Sequence, residues 1–337
     1  MQQKHKIEFF SFQLNPKDEE TTSFKKFAIS ELKAKETETD AQILNRILKY
    51  FIKSLDSDLS KNERLKKEIK LVKTAKNKYK DFKPKTNSDK HIISGVINGG
   101  FFGKDGIAID EESELSIHRK MSILYYYYIF IYTPLDYDKG FVIIHSNSKE
   151  ETITNICKPF IEKIFKGQNF KNSKTNYFTP KVFQNEFLNN SYLSHITFNK
   201  TVIDSFGSRN GVTNKLGKYK VRLVITPDSD DEINYSGLKK VKDYFGGLIF
   251  GRKDINISLN NFENSSVTLD NGSSEKTFNW NVEQDDFVPV VYLKDRILRY
   301  NADGTPDFAE LDEYCIKLFE NEILEEFRPD LYVTRIE

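Results

Sequence analysis

Cysteine is nearly missing from this chain. Two residues in 337, Cys157 and Cys315, exclude a disulfide scaffold and a multi-cysteine zinc module. Both fall on apolar stripes and read as core. Long hydrophobic runs are missing too. The most apolar stretch, Ile123 to Tyr132, is ten residues long and half tyrosine, short of the ~20 residues a membrane helix needs. No apolar segment follows Lys4 and Lys6 as in a secretory leader, so a cytoplasmic, reducing compartment is expected. Nucleotide signatures are absent. GGFFGKDG and GGLIFGRKD are Gly-rich and basic, but neither fits G-x-x-x-x-G-K-[ST] or G-x-G-x-x-G, and both read as turns. The five histidines, His5, His91, His118, His145 and His195, show no ligand spacing. The acidic run Asp228, Asp230, Asp231, Glu232 lacks the Gly and distal Glu of a calcium loop. No G-x-S-x-G occurs. These absences leave no catalytic, cofactor or metal residue to name.

What the chain does have is charge, segregated by sign. The total is balanced, 51 Lys and Arg against 50 Asp and Glu. From Lys49 to Lys90, however, 14 basic residues face 6 acidic ones, and from Lys158 to Arg222 the ratio is 12 to 3. From Tyr300 to Glu337 it reverses, 3 to 11. Two basic blocks offset by an acidic end point to a polyanionic partner.

Hydrophobic periodicity orders the elements. HKIEFFSFQ (5–13) reads as a strand. Asp40 caps a helix over 41–55, with Leu44, Ile47, Leu48, Phe51 and Leu55 as its apolar stripe. Over 60–82, Leu65, Ile69, Val72 and Tyr79 suggest a helix with Lys66, Lys70 and Lys73 beside the apolar face, although EIKLVK also reads as a strand. Pro84, Asn87 and Ser88 mark a linker. HIISGVING, SILYYYYIFIY (122–132) and FVIIHS (141–146) read as strands, the last two as a hairpin. A helix over 149–166 is kinked or split by Pro159 and ended by Gly167. A short helix follows Pro180, then strands at 191–203, with Tyr192, Ile196, Phe198 and Val202 inward, and at 218–226. A helix over 236–246 precedes further strands. Thr305-Pro306 opens a last helix to 327, whose acidic residues are expected to lie near a basic surface. The class is α+β: strand-rich mixed or antiparallel sheets with flanking helices. Three parts are expected, 1–90, 91–227 and 228–337.

The basic residues sit in a composition suited to DNA backbone. KGQNFKNSKTNYFTPK (166–181) and SRNGVTNKLGKYKVR (208–222) combine Lys or Arg with amides and aromatics, contain no acid, and read as polar loops that order on phosphates. The candidate contacts are Lys66, Lys70, Lys73, Lys166, Lys171, Lys174, Arg209, Lys215, Lys218, Arg252 and Lys253. If both blocks share a surface, roughly 6–10 phosphates are touched.

Three stretches carry a resemblance over about 120–270. IFIYTPLDYDKGFVIIHSNSKEETITNI resembles the strand–turn–strand–helix unit of the cytosolic component of the Rex phage-exclusion system of a temperate phage. YLSHITFNKTV resembles its next strand, and GLKKVKDYFGGLIFGRKDINISLNNFENSSVTLDNG its basic helix, apolar strand and polar hairpin. The resemblance implies a self-associating sensor of double-stranded DNA in an anti-phage, abortive-infection system, working with a separate membrane protein. The Kiwa defence system has a similar division of labour. Two other readings stay open: an effector enzyme of such a system, acting as a nuclease or on nucleotides, and a protein-interaction module that binds no nucleic acid.

Overall fold

Alternating apolar residues in KIEFFSFQLNP make a strand that is buried on both faces, and the architecture is built around it. The computed structural model describes residues 5–18, 21–71, 78–109, 113–147, 152–205, 215–228, 233, 249–250, 257–258, 264–272, 275–279, 290–294, 296–297 and 299–332. The chain forms two compact units, residues 1–178 with 290–337, and residues 179–289. These boundaries differ from those expected at 90 and 227, because strands on either side of residue 90 pair in one sheet.

Among the described residues the first unit is built on a nine-stranded antiparallel sheet. Its strands are β1 (Lys6–Pro16), β2 (Lys61–Asn62), β3 (Lys67–Leu71), β4 (Lys85–Asn87), β5 (Ile92–Phe102), then, beyond a separate two-stranded hairpin of β6 (Gly106–Ile109) and β7 (Glu114–Ile117), β8 (Ser122–Tyr132), β9 (Lys139–Ser146) and β10 (Phe170–Tyr177). The order is β10-β1-β9-β8-β5-β3-β2, with β4 on β5 and a short strand from the far end of the unit, Val291–Tyr292, on β1. On one face Phe10, Phe12, Ile93, Ile97, Tyr127, Ile129, Val142 and Ile144 form one core with helices α1 (Phe24–Leu32), α2 (Asp40–Leu55) and α3 (Thr154–Ile164). The other face meets the C-terminal helical segment: Phe319 lies 5.3 Å from Phe130 and 4.6 Å from Tyr132, and Phe327 lies 5.5 Å from Phe141, ring to ring. Among the described residues no helix is long and apolar enough to cross a membrane.

Local chemistry explains where the elements differ from expectation. The α2 cap is Thr39, not Asp40: its hydroxyl accepts from Gln42 N, and Gln42 Oε1 accepts from Thr39 N at 2.8 Å, a reciprocal capping box. Residues 67–71 form a strand and not part of a helix. Ile69 turns into the core while Glu68 and Lys70 alternate away from it, and five rungs to β5, Lys67↔Phe101 through Leu71↔Ile97, override the helical spacing. The expected linker at 84–88 contains β4, paired to β5. Helix α3 runs unbroken through Pro159. The last helix, Phe308–Leu318, is capped by Asp307, whose carboxylate accepts from Ala309 N and Glu310 N, with Thr305-Pro306 lying before it. It continues as a π turn, Phe319–Ile323, and a short helix, Leu324–Phe327. Phe308, Leu311, Cys315, Leu318, Phe319, Ile323 and Phe327 are all buried.

The second unit holds helix α4 (Lys181–Asn189), a sheet of β11 (Tyr192–Ser205), β12 (Lys215–Ile225), β15 (Asn264–Asp270) and β16 (Glu275–Asn279) in the order β12-β11-β15-β16, and a pair, β13 (Ile249–Phe250) with β14 (Ile257–Ser258). The short strand Val291–Tyr292 is accordingly β17, and the helices Phe308–Leu318 and Leu324–Phe327 are α5 and α6. The unit's core is Phe187, Leu188, Leu193, Ile196, Phe198, Val267 and Leu269. Ile196 and Phe198 point inward as expected, but Tyr192 is exposed. The helix expected over 236–246 lies outside the described residues, as does the side chain of Val202.

Candidate nucleic-acid interface

The stretch expected to be a polar loop, 166–181, is in large part the edge strand β10. Three features turn it into a strand. Phe170 is buried in the core of the unit, 5.2 Å edge-on to Phe27. Gln168 N and Asn169 N each donate to the Glu31 carboxylate at 2.7 Å, which fixes the turn before the strand. Gly167 makes room for that clamp, since a Cβ there would sit 2.1 Å from a Glu31 oxygen. The strand then pairs with β1 from Pro16↔Phe170 to Phe10↔Tyr177, with an irregularity between Gln13 and Asn15. Thr175 Oγ1 donates to Glu162 of α3. One edge of β10 is taken by β1; among the described residues no strand pairs with the other.

This edge gathers cations from two parts of the chain. Lys166 and Lys171 line one open groove together with Asn15, Lys17, Phe170 and Asn172. Lys17 Nζ donates to Gln168 O at 2.5 Å and Asn15 Nδ2 to Asn172 O at 3.1 Å, so the groove walls are tied together. Lys174 follows three residues after Lys171, about 10 Å further along the strand. Lys17, Lys166, Lys171 and Lys174 are exposed, and none forms an ion pair among the described residues. At the end of the strand Tyr177 is 67% exposed. Lys158 Nζ lies 3.5 Å from the centroid of its ring, and partial burial holds that ammonium below the usual lysine range. Lys17 was not legible as part of the site, because only the pairing of β1 with β10 brings it to Lys166.

Two of the other candidates, Lys66 and Lys70, do not join this groove. Lys66 and Lys70 lie at β3, five strand spacings from β10, or about 24 Å across the sheet. They are ion-paired, Lys66 to Glu63 at 2.7 Å and Lys70 to the buried Glu68 at 2.6 Å. Lys66 takes a left-handed backbone, φ 51°, in the turn before β3. Lys66 and Lys70 therefore lie apart from the β10 lysines, and the backbone that carries them is a turn and a strand, not the helix expected over 60–82. Lys215 and Lys218 lie in β12, opposite Ser205 and Ile203, in the second unit. Lys73, Arg209, Arg252 and Lys253 lie outside the described residues.

The sequence also concealed a buried histidine pair. His5 and His145, scattered in the sequence, meet because β1 and β9 pair at Ile7↔His145. Their rings are 5.2 Å apart, with His5 Nδ1 3.0 Å from His145 Nε2 and His5 Nε2 2.6 Å from Gly304 O. A carbonyl only accepts, so His5 carries its proton on Nε2. Its bare Nδ1 then accepts from His145 Nε2–H, and His145 Nδ1 is left as a buried acceptor without a partner. Burial lowers both pKa values, most strongly that of His145. The pair clips the loop before α5 to the sheet. Among the described residues no three His, Cys, Asp or Glu side chains converge on a metal position. Cys157 and Cys315 are fully buried, which pushes both thiols up and makes them poor nucleophiles. No family model matches the chain, and no curated protein or solved structure matches it at a significant level.

Proposed function

We propose that the chain binds double-stranded DNA through its phosphates along the β10 edge, with little sequence preference. The observation that carries this reading is the convergence of Lys17, Lys166 and Lys171 on one open groove, with Lys174 beside it and no carboxylate paired to any of them among the described residues. Lysines on an edge strand also discourage unwanted strand pairing. The DNA reading accounts for more: the amides of Asn15 and Asn172 in the same groove, the exposed Tyr177, and a cation recruited from β1. Phosphate contacts of this kind position a duplex and carry no base information. The resemblance over 120–270 supports the wider setting: a cytoplasmic, self-associating DNA sensor in an anti-phage, abortive-infection system, acting with a separate membrane protein.

The test is charge reversal. Lys171→Glu with Lys174→Glu should weaken binding to unrelated duplexes of equal length to the same extent, with the fold retained because both side chains point into solvent. Binding that survives this change but is lost in Lys66→Glu with Lys70→Glu would move the site to the opposite edge of the sheet. No binding at low salt would end the DNA reading.

A further inference from the structure

The hairpin of β6 and β7 stands apart from the sheet. Among the described residues its strands pair only with each other, Gly106↔Ile117 through Ile109↔Glu114. Residues directly opposite share a face, so Ile107 and Ile109 lie on one side and Ala108 and Leu115 on the other. Neither side is covered: Ile107 is 58% exposed, Ile109 74% and Leu115 61%. At the base, Arg119 N and Nε donate to the two oxygens of Asp105 at 2.9 and 2.7 Å, which holds the two strands together at their root. An isolated two-stranded ribbon is marginal in water, and bare Ile and Leu on both of its faces mark a docking element.

The charge on this arm says what it docks on. Residues 106–117, GIAIDEESELSI, hold four acids and no base. Residues 166–177, KGQNFKNSKTNY, hold three lysines and no acid. The second stretch contains the edge of β10 with which no strand pairs among the described residues, a place where an incoming strand can add. Its lysines repel most strands but suit one whose flank is acidic. We propose that the β6–β7 arm of one copy adds to the β10 edge of a second copy, with Glu114 set against the lysines Lys166, Lys171 and Lys174. The patches are different surfaces of the same chain. The contact therefore closes as a reciprocal arm exchange between two copies, or propagates head to tail. It occupies the groove assigned above to DNA, so duplex and second copy exclude each other there.

Cross-linking tests the geometry directly. Leu115→Cys and Asn176→Cys proteins are mixed in equal amounts and oxidised gently; the native cysteines are buried and do not compete. A disulfide-linked heterodimer is expected, formed well above the yield of Leu115→Cys mixed with Asn62→Cys, whose cysteine lies on β2 at the opposite edge. Equal yields would overturn the proposal. In light scattering over a wide concentration range, the natural chain should assemble and Ile107→Lys with Ile109→Lys should stay monomeric. Lys171→Glu with Lys174→Glu should also stay monomeric, and adding Glu114→Lys should restore part of the assembly. A natural chain that remains monomeric throughout, or an arm variant that assembles as the natural chain does, refutes the arm. The cross-link is read without DNA, and the arm variant leaves every β10 lysine in place. Failure of this inference is therefore distinguishable from failure of the DNA reading.

Discussion

Replacing Lys171 and Lys174 by Gln removes two of the four exposed cations along β10 and leaves Lys17 and Lys166. For duplex DNA, the logarithm of the affinity falls with the logarithm of salt at about 0.9 per phosphate neutralised. Four lysines give a slope of about −3.6, so raising salt from about 50 to about 200 mM costs roughly 150-fold in affinity. With two lysines the slope is about −1.8 and the same change costs roughly 12-fold. This is well short of the loss expected had both basic blocks shared one surface, because β3 lies at the other edge of the sheet. The decisive quantity is the difference between the two slopes, about 1.8, since it is independent of any cation elsewhere in the chain that also meets DNA. Fluorescence anisotropy of a labelled duplex across a salt series measures it. Lys66→Gln with Lys70→Gln is the control, and should leave the slope unchanged because those ammonium groups already face Glu63 and Glu68. A slope that does not change in the β10 variant, or that changes equally in the control, refutes the assignment of phosphates to this edge.

The histidine pair makes stability depend on pH. Both folded pKa values lie below the ordinary 6.5, so the unfolded chain takes up more protons as pH falls; this stability is complete above about 6.5 and is lost below it. His145→Phe should flatten the fall in melting temperature from about pH 7 to about pH 5, and an unaltered slope would place the acid sensitivity elsewhere. Gly140→Ala should cost about 2–3 kcal/mol in chemical denaturation, because its Cβ would lie 2.2 Å from the Phe12 ring and 2.8 Å from Tyr132 O; Gly106→Ala, with nothing within 4 Å, should be near neutral. The acidic end of the last helix reaches the end of β10, with Phe327 5.8 Å from Phe178. Glu325→Gln with Glu326→Gln should therefore tighten DNA binding at low salt, with the gain fading as salt rises; an equal affinity at low salt would leave these carboxylates without influence on the groove.

Strands with strong alternation or a dense β-branched and aromatic run were legible: 122–132 and 141–146 match β8 and the apolar part of β9. So was the helix over 41–55, whose stripe repeats at three and four residues. The lysine-rich 60–82 region misled because Leu65, Ile69, Val72 and Tyr79 keep helical spacing, while the rungs to β5 that decide its structure come from residues near 100. β10 misled for a related reason. Its composition is that of a loop, and only Phe170, the Glu31 clamp and the partner β1 make it a strand. Three of the four lysines of the candidate site, Lys166, Lys171 and Lys174, were visible because they are close in sequence. Lys17 and the His5–His145 contact depend on pairings across about 140 residues or more, which no local pattern carries.

The second unit, residues 179–289, is one unbroken stretch, whereas the first is completed only by residues from 290 onward. The N-terminal strand β1 pairs with Ser146 and, at the same residue Lys6, with Tyr292. On a ribosome adding about 5–20 residues each second, roughly 7–30 seconds separate the emergence of β9 from that of β17. The intervening unit is free to fold in that interval. In that interval Phe130 and Tyr132 lack the Phe319 ring that packs on both, since the segment bearing it has yet to be made. Synthesis from the N-terminus thus delivers the cover of Phe130 and Tyr132 after the strands that carry them.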